Sequence, residues 1–268
     1  MNFNPESPKP NTLKNEHLDP KFKPIIGGIY DRNNLDKETL DFLNDFKKNA
    51  DFVDFKYKKN DLDKNNMHGL GDLKYVISSC NENKKYSLSY LDCTGLIVSG
   101  IDKVTGKNIS IMSHQNPESF LKNAEVRTNL KNDINRSLDE LISRSIPGSI
   151  DAVLIGGQKE SLSYNVPEEN FRYGFDSIDE YMKGPYDDYI KSVKFIGNTI
   201  YQKLGFSPVV MTGPNDNFRT KEHALDIYFD NDNRRLYMLR PEQDKSVKNE
   251  PYIASEAEDQ IERIKNVK

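Results

Sequence analysis

Cys93 and His114 stand near the two ends of one predicted β-hairpin, and residues of these types could form a catalytic pair. The stretches TGLIVSGI (94–101) and NISIMS (108–113) have the pattern of strands, and the polar stretch DKVTGK between them is typical of a turn. Facing positions in such a hairpin have numbers with a nearly constant sum, so we expect Cys93 and His114 to lie opposite or one step diagonal. Their Cβ atoms would then be roughly 4.5–8 Å apart, close enough for an imidazole to take the thiol proton and form a nucleophilic thiolate.

Spacing alone does not distinguish such a pair from a buried, inert thiol and a histidine at a strand end. The chain has two cysteines, Cys80 and Cys93, which fit a reducing compartment or a free reactive thiol better than a disulfide framework. The other histidines have no ligand-like partners at metal spacing, and no metal site is predicted.

Apolar patterns predict the elements that would position this pair. Helical periodicity predicts helices over about 36–48, 130–142 and 187–204. Further strands are predicted at LKYVISSC (73–80), YSLSYLDC (86–93), IDAVLIGG (150–157), PVVMT (208–212), ALDIYFD (224–230) and RLYMLR (235–240). Strands outnumber helices and most follow hairpin turns, so the predicted fold is α+β, a mixed β-sandwich with flanking helices.

The same patterns predict four segments along the chain. Residues 1–24 are rich in Pro, Asn and Lys without periodicity, which predicts a disordered leader. Residues 25–72 are predicted to be an N-terminal helical extension, and 73–240 the main domain. A loop and a short helix with a capping box are predicted over 241–268.

The amino-acid composition limits the classes of function that the protein can have. The chain has 268 residues with 35% hydrophobic and 30% charged residues, and its net charge of -4 argues against nucleic acid or anionic membrane as a partner. No apolar run is long enough to predict a transmembrane helix. The first 24 residues lack an apolar core of the signal-peptide kind, so Sec export is not expected.

The run YLDCTGLIV, then ISIMSHQNP, then a helix leading into DAVLIGGQ, resembles the chemoreceptor glutamine deamidases (CheD) and the fold-related necrotizing-factor toxins. In the chemoreceptor deamidases a catalytic Cys opens a hydrophobic strand, and a catalytic His closes the next strand ahead of a nearby Pro. A helix then leads to an apolar strand that ends in two glycines. The corresponding residues here are Cys93, His114 with Pro117, and Gly156 with Gly157.

The resemblance covers about residues 73–240 and implies a deamidase-like catalytic domain there. It implies Cys93 as the nucleophile and His114 as the base. The third catalytic residue of the chemoreceptor enzymes is a Thr six positions before the Cys, where this chain has Ser87. In a regular strand Ser87 would share the face of Cys93 and could orient the imidazole. The toxins share a Cys followed by Thr, as in Cys93–Thr94, and backbone N–H groups there would support an oxyanion.

The implied activity is deamidation of a protein glutamine through a thioester, with release of ammonia and no cofactor. The expected partner is a protein substrate with a reactive glutamine, and the chain is expected to be a monomer. We expect it in the bacterial cytoplasm, or delivered into a host cytoplasm by a specialised secretion system. The leader and the N-terminal extension favour such an effector or toxin.

Two alternatives stay open from the sequence. A related cysteine hydrolase or transglutaminase would use the same Cys-His pair on other amides or with amines. A catalytically inactive binding module would keep the fold without the chemistry.

Overall fold

The computed structural model describes residues 25–31, 34–54, 74–90, 93–156, 178–212 and 225–240. Within these ranges the protein is α+β, with two five-stranded sheets and four helices. The predicted leader (1–24) and C-terminal segment (241–268) lie outside the described residues. None of the described helices is both long enough and apolar enough to cross a membrane.

Strands and helices are interspersed along the described part of the chain. In chain order they are β1 (Ile25–Asp31), α1 (Lys37–Lys48), β2 (Ala50–Phe52), β3 (Tyr75–Ile77), β4 (Lys84–Tyr90), β5 (Thr94–Ile101), β6 (Asn108–Gln115), α2 (Pro117–Lys122), α3 (Ala124–Arg144), β7 (Asp151–Gly156), α4 (Ile178–Leu204), β8 (Val209–Thr212), β9 (Leu225–Asp230) and β10 (Arg235–Arg240).

The strands form two sheets of mixed direction. The first sheet has the order β1-β10-β9-β4-β2, and the second sheet has the order β3-β6-β5-β7-β8. Strand β1 is parallel to β10 and β2 is parallel to β4, whereas β9 is antiparallel to both of its neighbours. In the second sheet β5 pairs antiparallel with β6 and β7, and β7 pairs parallel with β8.

The central hairpin of the second sheet is the β5–β6 pair. Its turn is held by Asp102, whose carboxylate accepts hydrogen bonds from the backbone N–H groups of Val104 (2.8 Å) and Thr105 (3.1 Å). Gly106 completes the turn with a φ of 71°, a left-handed conformation that favours glycine. The pairing is regular from Thr94 opposite Gln115 to Ile101 opposite Asn108, so the predicted register is confirmed.

Among the described residues, buried side chains form three hydrophobic clusters, and one of them contains residues of both sheets. Because side chains alternate along a strand, β5 and β6 send one set of apolar residues to each face of the second sheet. The inter-sheet cluster consists of Val53, Tyr90, Ile97, Met112, Val153, Ile155, Ile227, Phe229, Leu236 and Met238. On the opposite face of the second sheet, Leu96 and Val98 pack with apolar residues of α3 and α4.

The chain passes from the first sheet to the second between Tyr90 and Cys93. The predicted strand over 86–93 therefore ends earlier, at Tyr90, whose pairing with Leu225 of β9 is the end of the β4–β9 ladder. The register of this ladder shifts between Ser87 and Tyr90, and β5 begins in the other sheet at Thr94. The strand-like patterns on either side of this point carry no signal for such a change of sheet, because both strands have similar local preferences.

The N-terminal segment differs from the predicted helical extension. The predicted helix is present as α1, and Asp36 caps it by accepting a hydrogen bond from the Thr39 N–H at 2.7 Å. The same segment also contributes two strands to the first sheet, β1 (Ile25–Asp31) and β2 (Ala50–Phe52), so it is not only a helical extension. These strands pair with β10 and β4, which are remote in sequence, and local patterns do not report such pairings.

Two helices begin earlier than their apolar periodicity indicates. Helix α3 starts at Ala124 because the Asn123 side chain accepts hydrogen bonds from the N–H groups of Glu125 and Val126. Helix α4 starts at Ile178, whereas the periodic apolar positions that predicted it begin at Ile190.

Candidate functional site

Cys93 and His114 lie on the same face of the second sheet. Gly95 faces His114 across the β5–β6 ladder, and Cys93 lies just before β5, two residues before Gly95. Continuing the alternation of the strand by one residue makes Cys93 a diagonal neighbour of His114. Cys93 packs against the inter-sheet cluster, to which Ile97 also belongs, in agreement with this assignment of faces. The site therefore lies where the two sheets face each other, beside the first residue of β5.

The imidazole of His114 is enclosed by groups from the first sheet. The side chain is 1% exposed, and its Nδ1 atom is 3.0 Å from Ser87 Oγ and 3.2 Å from Asp54 Oδ1. The Tyr90 ring stacks on the imidazole, with ring centroids 4.0 Å apart and an angle of 18° between the planes. Because three residues meet the ring, its orientation is set by the packing of one sheet against the other.

Ser87 contacts His114 by a route that the sequence did not predict. It is on β4 in the first sheet, so it does not share a strand with Cys93, and that expectation is wrong. Its side chain is fully buried and reaches Nδ1 of His114 across the space between the sheets. The contact that we expected from alternation along one strand is thus made between two strands of different sheets.

Asp54 is a site residue that sequence reasoning missed. It follows β2, and its carboxylate is 11% exposed. Oδ1 meets His114, while Oδ2 accepts a hydrogen bond from the backbone N–H of Leu88 at 3.2 Å. No local pattern marks Asp54, because β2 is only three residues long and its pairing with β4 is set by tertiary structure.

Tyr90 can lie against His114 because the neighbouring residue on β5 is Gly95. A Cβ atom on Gly95 would be 2.7 Å from the Tyr90 hydroxyl and 2.8 Å from the Ser113 carbonyl oxygen. The Tyr90 hydroxyl donates a hydrogen bond to that same carbonyl at 3.0 Å. Burial raises the pKa of Tyr90 far above its ordinary value, so the phenol stays protonated.

Thr94 directs its side chain away from Cys93, to the helical face of the second sheet. Its Oγ1 is 2.8 Å from Ser192 Oγ on α4 and accepts a hydrogen bond from Gln115 Nε2 at 3.2 Å. Gln115 in turn accepts a hydrogen bond from Ser113 Oγ at 2.8 Å. The Thr94 side chain therefore ties the start of β5 to α4, and its predicted support of an oxyanion would come from the backbone.

The two cysteines have different surroundings. Cys80 is 5% exposed, and burial raises the pKa of its thiol to about 11, which leaves it protonated at neutral pH. Cys93 is partly exposed and lies diagonal to a histidine. Burial therefore disfavours a thiolate at Cys80, whereas Cys93 keeps access to solvent.

Metal ligation has no support in the described part of the chain. Among those residues, no group of three or more His, Cys, Asp or Glu side chains could hold an ion.

No protein-family model matches the chain, and no curated protein matches it.

Proposed function

We propose that the protein is a cysteine-dependent hydrolase that converts a glutamine of a protein substrate into glutamate. The observation that carries the proposal is the contact of His114 Nδ1 with Asp54 and Ser87, on the sheet face shared with Cys93. A nucleophile beside a base, with the base oriented by a further group, is the arrangement that covalent amide hydrolysis requires.

The fold is consistent with this class of enzyme. Two mixed sheets that share a hydrophobic cluster, with helices on the outer face of the second sheet, support a β-sandwich like that of the chemoreceptor deamidases and necrotizing factors. The strand that follows Cys93 and the strand that carries His114 are neighbours in the second sheet.

The proposed reaction passes through a thioester. His114 takes the proton of the Cys93 thiol, and the thiolate sulfur bonds to the carbonyl carbon of the glutamine carboxamide. Backbone N–H groups near Cys93 and Thr94 stabilise the oxyanion. The carbon–nitrogen bond then breaks as the imidazolium gives its proton to the leaving nitrogen, and ammonia departs.

Water completes the cycle. His114 removes a proton from a water molecule, whose oxygen attacks the thioester carbon, and the carbon–sulfur bond breaks. The thiolate leaves and is protonated by the imidazolium, which restores the enzyme. The product carboxylic acid gives its proton to solvent and becomes the glutamate carboxylate. The reaction consumes one water and releases one ammonia without an oxidant or a cofactor.

The substrate is a protein that presents a glutamine to the partly exposed Cys93. We favour a bacterial effector that acts in a host cytoplasm over a chemotaxis enzyme. If an amine reaches the thioester before water does, the same residues perform transamidation.

Mass spectrometry of a lysate incubated with the protein tests this proposal. We expect particular glutamines to gain the mass that separates a carboxylate from a carboxamide, and Cys93→Ser to abolish the change. Cys80→Ser is the matched control and should retain activity, because Cys80 is a buried thiol that packs in the cluster on the helical face of the second sheet. An added primary amine that becomes incorporated at glutamine would favour the transglutaminase.

A second measurement does not need the substrate. Peptide mass spectrometry after brief iodoacetamide treatment at neutral pH should find Cys93 alkylated about 100-fold faster than Cys80, because only Cys93 has a base beside it. His114→Ala should slow the alkylation of Cys93. Equal, slow reaction of both thiols, or deamidation by Cys93→Ser, would refute the proposal.

A further inference from the structure

We infer that Asp54 is a positioning residue that holds the Nδ1–H of His114 and leaves Nε2 as the base available to Cys93. The inference rests on the proposed function, which it extends from two residues to three. It assigns a role to a carboxylate that the sequence does not mark and that the resemblance does not include. It also changes the role expected for Ser87.

The contacts of Nδ1 distinguish the two neutral forms of the imidazole. Nδ1 faces two oxygens, Asp54 Oδ1 at 3.2 Å and Ser87 Oγ at 3.0 Å. A carboxylate only accepts hydrogen bonds, whereas a hydroxyl can donate or accept. If Nδ1 lacked a hydrogen, its lone pair would face the carboxylate in a buried site, which is repulsive.

With a hydrogen on Nδ1, each group has a compatible partner. The N–H donates to the carboxylate of Asp54, a charge-assisted bond, and the Ser87 oxygen can accept from the same N–H. The Nε2 lone pair is then the basic site of the ring. Asp54 therefore selects the form of His114 that can deprotonate a thiol.

The hydrogen of the Ser87 hydroxyl can point toward the phenol oxygen of Tyr90. Burial raises the pKa of Tyr90, and a hydrogen bond between Ser87 and the Tyr90 phenol acts in the opposite direction. The phenol itself donates to the carbonyl oxygen of Ser113. In that orientation of the hydroxyl, a lone pair of Ser87 Oγ remains to accept from Nδ1–H. Ser87 supports the orientation of the ring and does not choose its tautomer.

Asp54 is itself held in place. The Leu88 N–H donates to Oδ2, so the carboxylate is oriented by the strand that carries Ser87 and Tyr90. The imidazolium that forms during thioester chemistry is almost completely buried, and an adjacent carboxylate offsets the cost of that charge. Asp54 thus orients the neutral form of His114 and stabilises its charged form.

The rate of iodoacetamide alkylation of Cys93 as a function of pH tests the inference. We propose to compare Asp54→Asn, Ser87→Ala and Asp41→Asn, each in a Cys80→Ser background so that one thiol is measured. Asp41→Asn removes the same charge from an exposed position on α1 and is the matched control.

Asn at position 54 keeps an oxygen for the Leu88 N–H, but its amide can donate to Nδ1 and so favour the wrong tautomer. We expect Asp54→Asn to slow alkylation at neutral pH by about 100-fold and to move the midpoint of the pH profile upward. Ser87→Ala should have a smaller effect, and Asp41→Asn should have none. Coincident profiles for Asp54→Asn and Asp41→Asn, or a larger shift in Ser87→Ala, would overturn the inference.

NMR of the imidazole nitrogens gives a readout that does not depend on a folded Asp54 variant. In Cys93→Ser, where no thiolate can form an ion pair, neutral His114 should carry its hydrogen on Nδ1. A hydrogen on Nε2 would refute the role of Asp54. The two proposals can fail separately. If Cys93 is alkylated slowly and His114→Ala does not change that rate, the proposed function is refuted. If Cys93 is reactive and Asp54→Asn does not change its rate, only the positioning role is refuted.

Discussion

The neighbours of His114 leave its ring little freedom. Tyr90 covers one face of the imidazole, and Ser87 and Asp54 meet one of its nitrogens. This enclosure requires that the adjacent strand carry no side chain at position 95. The absence of a Cβ at Gly95 is therefore a condition of the site.

Gly95→Ala should disturb the site through Tyr90. The new Cβ would lie closer than van der Waals contact to the Tyr90 hydroxyl and to the Ser113 carbonyl, and the backbone carbonyl cannot rotate away. We expect a loss of about 1–3 kcal/mol in the free energy of unfolding, together with slower alkylation of Cys93.

Gly197→Ala on α4 is the matched control for that prediction. Its new Cβ would have Leu154 Cδ1 as its nearest neighbour at 3.9 Å, an ordinary contact, and alanine favours a helix. By urea denaturation, this variant should be as stable as the parent protein or slightly more stable. Its rate of Cys93 alkylation should be unchanged. Similar behaviour of the two variants would contradict the role assigned to Gly95.

At the scale of elements, a polar cluster fastens the short strand β2 beside β4. The Asp51 carboxylate accepts hydrogen bonds from Asn81 Nδ2 (2.8 Å) and Asn83 Nδ2 (2.9 Å). The buried Lys85 ammonium donates to Asn81 Oδ1 (2.6 Å) and to the Asn83 carbonyl (3.0 Å). Because Asp54 follows β2 on the same segment, this cluster helps to position the Asp54 carboxylate.

Lys85 should make stability depend on pH. Burial lowers its pKa from 10.5 to about 8 in the folded protein, so between these values the unfolded chain binds more protons. Stability from this residue therefore rises with pH across that window. Relative to Lys85→Met, the free energy of unfolding of the parent protein should increase by about 2 kcal/mol from about pH 7.5 to about pH 9.5.

Urea denaturation at a series of pH values measures this difference. Lys48→Met, at an exposed position on α1, is the control and should show no such change relative to the parent. A difference between the parent and Lys85→Met that stays constant with pH would show that Lys85 keeps an ordinary pKa.

At the scale of the whole molecule, β5 and β6 join two hydrophobic clusters. Ile97 and Met112 face the first sheet, whereas Leu96, Val98 and Ile111 face the helices. A strand cannot lose the packing on one of its faces and keep the other intact, so we expect the clusters to unfold together.

Ile97→Ala and Leu130→Ala test this cooperativity from opposite sides of the second sheet. Both side chains are fully buried, so each variant should lose about 2–5 kcal/mol in the free energy of unfolding. Far-UV circular dichroism and tyrosine fluorescence should report one coincident urea transition in each case. Val104→Ala, at an exposed residue of the hairpin turn, should change stability by less than about 0.5 kcal/mol. Separate transitions by the two probes would indicate independent units.

Several elements could be predicted because their signals are local. The register of the β5–β6 hairpin follows from the alternation of apolar residues and from the Asp102 turn, so the diagonal placement of Cys93 and His114 could be derived from the amino-acid sequence. Helix α3 likewise follows from its apolar periodicity.

By itself, the sequence determined the α+β class, most of the strands and the sheet face that Cys93 and His114 share. Only the tertiary structure decided that Ser87 reaches His114 from the other sheet and that Asp54 stands beside it. The physical reason is that strand propensity and alternation report which faces of a strand are buried, but not which strand lies opposite. That choice is made by the packing of the two sheets on their common cluster, where residues remote in the chain become neighbours.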